Sequence, residues 1–272
     1  MMGTVAVNGE VCRLEDLRLQ DFLQSFFFGA GFFETLLVEE GAPMFLERHL
    51  ARLRESLGAH AGCVHAPPPE VLTAKAVHAA LRRCLEADAS LGPRFTGVAK
   101  LVAGDGRLLL SFRSLPPRPP EEGVALETVE DRCYRRGDPT LNHKSVSYLR
   151  QYAHLGRGTV FVNEAGELCE VPNGNLFFLV GDTVVTPPLG APCLPGIIRS
   201  VLLVEERLGG RPIAERPVRR EQVEDVRGCV LTNSVSLALA VPRLLGRELP
   251  ESHALAGHAR ALVREYARRH GG

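Results

Sequence analysis

The chain has 272 residues, 45% of them apolar and 24% charged, with 32 basic and 32 acidic side chains and no net charge. That length accommodates one large domain or two modest ones, and either buries a real core. Charge balance argues against nucleic acid or an anionic membrane surface as the main partner, and no apolar run reaches membrane-spanning length.

In chain order, Thr4–Val7 and Phe32–Val38 read as strands. The stretch Phe45–Ala59 reads as a helix with Leu46, Leu50, Leu53 and Leu57 on one face, and Pro69–Ala87 as a second helix entered through prolines. Val98–Val102 and Leu108–Phe112 form a hairpin around Gly104-Asp105-Gly106. Four prolines within Pro116–Pro120 cannot sit in a helix or central strand. They predict an N-terminal α+β domain over 1–115, a linker over 116–122 and a second domain over 123–272. Beyond the linker, strands are expected at Val124–Val129, Thr159–Val162, Leu168–Glu170, Leu176–Val180 and Thr183–Thr186, and near Cys229–Thr232 and Leu237–Val241. Helices are expected at Val146–Gly156, Gly196–Leu208 and Ala254–Arg269. Strands and helices mix without regular alternation, which predicts the α+β class. Seven scattered cysteines without a CxxC pair point to reduced thiols in a cytoplasm rather than disulfides or zinc. The start, Met1-Met2-Gly3-Thr4-Val5, lacks the pattern of a signal peptide.

Only three lysines stand against twenty-nine arginines, and one of them, Lys144, lies in Asn142-His143-Lys144-Ser145-Val146-Ser147-Tyr148. Lysine loses a proton and attacks a carbonyl, whereas arginine does neither. Glu170 ends a predicted strand before Pro172-Asn173-Gly174 and an apolar run. Leu194-Pro195-Gly196-Ile197-Ile198 opens a predicted helix whose first amides suit an anion. Arg52, in His49-Leu50-Ala51-Arg52-Leu53, suits a phosphate. Each has a plain alternative: a solvated strand end, an ordinary helix start, a surface arginine. Together they are what pyridoxal phosphate requires: an imine-forming lysine, a carboxylate for the ring nitrogen and phosphate-binding elements.

At this point the chain resembles the class IV pyridoxal-phosphate enzymes, which include branched-chain and D-amino-acid aminotransferases and aminodeoxychorismate lyase. The likeness runs from about Asn8 to about Pro242. It rests on Gly29-Ala30-Gly31-Phe32-Phe33-Glu34-Thr35, His49-x-x-Arg52-Leu53, His143-Lys144-Ser145, Glu170 with Asn175-Leu176-Phe177, and Pro195-Gly196-Ile197-Ile198. Many relatives carry Thr or Met in place of Ile198. The resemblance implies a two-domain α+β fold of type IV, with a small N-terminal domain, a larger barrel-like C-terminal domain and the cofactor between them, in a homodimer. It implies that Lys144 binds the cofactor covalently and acts as base, that Glu170 keeps the ring nitrogen protonated, and that Arg52 with the amides of Gly196, Ile197 and Ile198 binds phosphate. Tyr148, four residues after Lys144 on the expected helix, is a candidate for the cofactor's phenolic oxygen. Asn175, Asn233 and Ser234 join the cofactor-binding set. Glu34 and Thr35 alternate on a strand, and Thr35 is the one expected on the substrate side.

The substrate is then a small-molecule amine. Leu231-Thr232-Asn233-Ser234-Val235 and the Lys144 segment resemble the lyase-like members, and no Arg-x-His carboxylate trap follows the Val98–Val102 strand. The expected reaction is release of pyruvate from 4-amino-4-deoxychorismate to give p-aminobenzoate, a step toward folate. The alternative is transamination of branched-chain or D-amino acids with 2-oxoglutarate. A more remote alternative is a non-catalytic pyridoxal-phosphate-binding protein. No Gly-x-Ser-x-Gly elbow or histidine ligand spacing supports a hydrolase or a metal enzyme.

Overall fold

The computed structural model describes residues 3–117, 121–128 and 134–270. Residues 118–120 of the expected linker, Val129 of an expected strand and Cys133 lie outside them. The chain forms two compact units: one of residues up to Pro116 with Lys144–Tyr148, the other of Pro117–His143 with Leu149–His270.

The first unit is built on an antiparallel six-stranded sheet. Its strands are β1 (Thr4–Val7), β2 (Glu10–Arg13), β3 (Phe32–Glu39), β4 (Ala42–Pro43), β5 (Gly97–Gly104) and β6 (Arg107–Arg113), in the order β2-β1-β6-β5-β3-β4. Asp105 and Gly106, both with positive φ, close the β5–β6 hairpin in the conformation that favours Asp-Gly. Short helix α1 (Leu23–Phe28) precedes β3, and helices α2 (Leu46–Ala59) and α3 (Ala74–Ala87) complete the unit. The four leucines predicted on one face of α2 are all buried, in one core with Phe32, Leu36 and Val38 of β3 and Val77, Leu81 and Leu85 of α3. Each such side chain contributes about 1.5–3 kcal/mol by leaving water. The helix expected over Pro69–Ala87 is two elements, a 3-10 turn at Pro69–Leu72 and then α3. Thr73 divides them because it is extended and its hydroxyl accepts from Ala76 N at 3.2 Å, a side-chain cap that starts a new helix.

The second unit holds two sheets. Strands β7 (Ala125–Thr128) and β8 (Thr159–Val160) pair in parallel and join the short strands β15 (Arg243–Leu244) and β16 (Arg247–Glu248). The six-stranded sheet comprises β9 (Asn175–Val180), β10 (Thr183–Thr186), β11 (Arg207–Leu208), β12 (Arg211–Glu215), β13 (Val226–Asn233) and β14 (Leu237–Ala240), ordered β11-β12-β10-β9-β13-β14. Helices α4 (Leu149–His154), α5 (Ile197–Glu205) and α6 (Ser252–His270) accompany them, and α6 lies against β13, β14 and α5. The α+β class holds. None of the described helices is long and apolar enough to cross a membrane.

Two further local expectations fail. The helix expected over Val146–Gly156 forms only at Leu149–His154, because the residues before it spend their backbone groups on the first unit's sheet. Leu168–Glu170 is not a strand; Val162 and Leu168 make an isolated bridge, and Leu168 N turns to Val218 O at 2.8 Å. Turns at Asn163–Gly166 and at Pro172–Asn173, where proline offers no N–H, cut the pairing short.

Candidate active site

In the first unit, Lys144 is held by backbone pairing rather than by a helix. Phe33 N donates to Lys144 O at 2.8 Å, Val146 N donates to Gly31 O at 3.0 Å, and Ser145 bridges Phe32. The Ser147 hydroxyl donates to Gly29 O at 3.1 Å. This extended clip corrects the expectation that Lys144 opens a helix and shares its face with Tyr148. The two nevertheless meet: Lys144 Nζ stands 4.7 Å from the Phe33 ring centre and 5.7 Å from that of Tyr148, and the two rings meet edge-on at 5.3 Å. A second lysine shares that ring, with Lys100 Nζ 4.3 Å from the Phe33 centre. Burial, with Arg113, lowers the pKa of Lys100. Thr35, half-buried, is in register with Lys100 and lies two residues from Phe33, hence on the same face of β3.

Glu34 points the other way, and this is the feature that sequence reasoning passed over. Its side chain is 1% exposed. Arg52 grips it edge-on, with Nε to Oε1 at 2.8 Å and Nη2 to Oε2 at 2.6 Å, while His49 Nδ1 lies 2.6 Å from Oε2. Burial alone would raise the Glu34 pKa, but Arg52 and then His49 outweigh it and hold it at about 2. Burial lowers that of His49; Glu34 opposes this, and Arg52 and Lys144 reinforce it. A neutral ring donates through Nδ1 to the carboxylate, and its buried Nε2 has no hydrogen-bond partner among the described residues. The signal was present in sequence: Glu34 precedes Thr35 on the strand, and His49-x-x-Arg52 presents two polar groups on one helix face. Arg52 is therefore a buried, paired arginine rather than a solvated one.

In the second unit, Glu170 is buried and both its oxygens are engaged. Tyr134 Oη donates to Oε1 at 3.0 Å, and Leu194 N donates to Oε2 at 2.8 Å. The second bond ties Glu170 to the loop that leads into α5. Asn175, the first residue of β9, supports the same loop by donating from Nδ2 to Leu194 O at 2.8 Å. Gly196 is the extended N-cap of α5 with no side-chain cap, so the amides of Ile197 and Ile198 open the helix toward an anion. A Cβ at position 196 would fall 1.9 Å from Asn175 Oδ1, so any other residue there requires the Asn175 side chain to move. Asn233 shapes the β13–β14 turn, its Oδ1 accepting from Val235 N at 3.0 Å and Ser236 N at 2.8 Å; Ser234 sits half-buried within that turn. Asn142 anchors the segment before Lys144 by donating to Cys193 O at 2.8 Å.

Comparisons with known proteins bear on the fold and the family. The chain is 28% identical over 254 residues to the bifunctional aminodeoxychorismate lyase / D-amino acid transaminase of Mycobacterium tuberculosis, spanning 82% of this chain and 85% of that protein. Among solved structures, a hypothetical aminotransferase of M. tuberculosis in its PLP-bound form superposes with a TM-score of 0.78 at 24% identity, covering 97% of this chain and 99% of that one. The branched-chain aminotransferase of Thermoproteus uzoniensis reaches 0.81 at 18% identity and covers 97% of both chains. These two likenesses concern the fold, which is that of the type IV enzymes. The profile of the amino-transferase class IV family matches residues 31–244, from the glycine before β3 to the end of β15, and the chain belongs to that family.

Proposed function

We propose that the chain is a pyridoxal-phosphate enzyme that releases pyruvate from 4-amino-4-deoxychorismate to leave p-aminobenzoate. The residues present fit the cofactor: a lysine amine beside two aromatic rings, a carboxylate held by two donors, and a helix start at Gly196 without a side-chain cap, whose first amides suit a phosphate. When bound, pyridoxal phosphate supplies an aldehyde for amines and a ring that accepts electrons. Lys144 Nζ would hold it covalently and, as a free amine, would remove the proton from the substrate's amine-bearing carbon. Glu170 holds a proton at the ring nitrogen. Arg52 and the amides of Ile197 and Ile198 bind phosphate, with Glu34 and His49 fixing the guanidinium. The Tyr148 hydroxyl orients the phenolic oxygen, and Thr35 delivers a proton to the departing enolpyruvyl oxygen. Loss of that group makes the substrate ring aromatic, which favours elimination over return of the proton.

The observation that carries the choice of reaction is the Thr232-Asn233-Ser234 stretch at the β13–β14 turn, which resembles that of the lyase-like members, together with the absence of an Arg-x-His pair after β5. Lys100 beside Phe33, on the Thr35 face of the sheet, suits a carboxylate of either substrate class. The M. tuberculosis relative's name supports both this reaction and a second reading, transamination of D-amino acids. The test is incubation of the purified protein with enzymatically generated 4-amino-4-deoxychorismate, following p-aminobenzoate and pyruvate. Parallel reactions supply branched-chain and D-amino acids with 2-oxoglutarate. Keto-acid formation from an amino acid with no p-aminobenzoate from aminodeoxychorismate refutes the lyase and installs the transaminase.

A further inference from the structure

Glu170 has a neighbour that no motif marks. Tyr134 is fully buried, stacked on Phe161 with ring centres 4.7 Å apart, and Arg150 lies 5.6 Å from the centre of its ring. Phe161 is itself paired with the Glu170 segment, its N donating to Glu170 O at 2.8 Å and its O accepting from Cys169 N at 2.8 Å. One backbone pairing thus brings both the carboxylate and the tyrosine's stacking partner into place. A tyrosine hydroxyl has a single proton to give. Gln151 Nε2 donates to Tyr134 Oη at 3.2 Å, which occupies the oxygen as acceptor and leaves its proton for Glu170 Oε1 at 3.0 Å. Gln151 Oε1 is buried with no hydrogen-bond partner among the described residues. The opposite amide orientation would set that oxygen against Tyr134 Oη, competing for its only proton and stripping Glu170 of one donor. Burial first, then Glu170, raises the Tyr134 pKa far above its ordinary value, so the phenol remains a donor.

We propose that Tyr134, oriented by Gln151, is a positioning residue for Glu170: its hydroxyl fixes one carboxylate oxygen and weakens the carboxylate as a base, so that a proton shared with a heteroaromatic nitrogen stays on nitrogen. This deepens the reading that Glu170 faces the cofactor's ring nitrogen, and rests on it. Hydrogen bonds to a charged group lower its basicity. Without the phenol, the carboxylate pulls the shared proton toward itself and the ring accepts electrons less well.

The test uses the holoenzyme loaded with pyridoxal phosphate carrying nitrogen-15 in the ring, read by the ring-nitrogen chemical shift alongside kcat and KM. Tyr134→Phe retains the stack on Phe161. Its resonance is expected to move toward the unprotonated position, with kcat down about ten-fold, the loss expected for one charge-assisted hydrogen bond, and KM within about two-fold. Gln151→Met is expected to move the resonance the same way by less. A wild-type resonance in Tyr134→Phe overturns the proposal, and so does a slower enzyme whose resonance has not moved, since that is a structural effect only. If Tyr134→Phe does not fold, Gln151→Met decides by the same two criteria. Glu170→Gln separates the two levels: an unmoved resonance there refutes the assignment of Glu170 to the ring nitrogen. A resonance moved by Glu170→Gln but by neither Tyr134→Phe nor Gln151→Met refutes only the positioning role.

Discussion

Replacing Glu34 by glutamine is the sharpest probe of the buried cluster under β3. The carboxylate accepts two bonds from Arg52, at 2.8 and 2.6 Å, and one from His49 at 2.6 Å, at a site only 1% exposed. Glutamine preserves the volume and one acceptor oxygen, but it turns the other into a donor facing the Arg52 and His49 donors. His49 has a remedy, because the other tautomer accepts at Nδ1; Arg52 has none. Removing one member of a buried ion pair costs about 3–5 kcal/mol, and the retained acceptor places Glu34→Gln at the lower end, about 3 kcal/mol. For a chain of this length that corresponds to a Tm lower by roughly 10 °C. The assay is thermal and urea unfolding of the cofactor-free protein, compared with Arg52→Met and with Glu34→Gln/Arg52→Met. The double variant removes the buried guanidinium along with its carboxylate partner and is expected to be more stable than Glu34→Gln alone. A single variant within about 1 kcal/mol of wild type, or a double variant less stable than Glu34→Gln, would refute the reasoning.

Other consequences can be measured separately. Because the folded pKa of His49 lies below its ordinary value of about 6.5, the unfolded chain binds more protons below that pH and stability falls as the solution is acidified. His49→Gln is expected to remove up to about 1 kcal/mol of the loss between pH 7 and 5.5, seen as a smaller shift in urea midpoint; an unchanged pH slope counts against a neutral buried ring. Gly196→Ala puts a Cβ on Asn175 Oδ1, so it is expected to destabilise by about 1–3 kcal/mol and weaken cofactor retention on dialysis. Gly196→Ala/Asn175→Ala makes room and is expected to recover part of the stability; no recovery means the clash lies elsewhere. Lys144→Ala is expected to abolish the borohydride-trapped cofactor, and trapped label mapped to Lys75 or Lys100 would move the covalent site.

Much of this protein is legible in its own residues. The leucine period of α2, the Asp-Gly hairpin of β5 and β6, and the strand at Thr183–Thr186 follow from local rules of period and turn conformation, which neighbouring residues carry by themselves. The family, and with it the cofactor class, was equally open, because the short motifs around Lys144, Glu170 and Gly196 by which the chain resembles it are each made of adjacent residues. Tertiary structure alone decided how those residues are held. Apolar spacing after Lys144 read as a helix, yet Gly31 and Phe33, more than a hundred residues away in sequence, take its backbone bonds and make it extended. Alternation on β3 said that Glu34 and Thr35 face opposite ways, but only the packing of α2 decided which one is buried with Arg52. Tyr134 belongs to no motif and lies 36 residues from Glu170, to which it donates its hydroxyl. A period or a turn is encoded by adjacent residues, whereas a buried donor's partner is chosen by which distant segments the core brings within hydrogen-bond reach, and that choice exists only once the chain has folded.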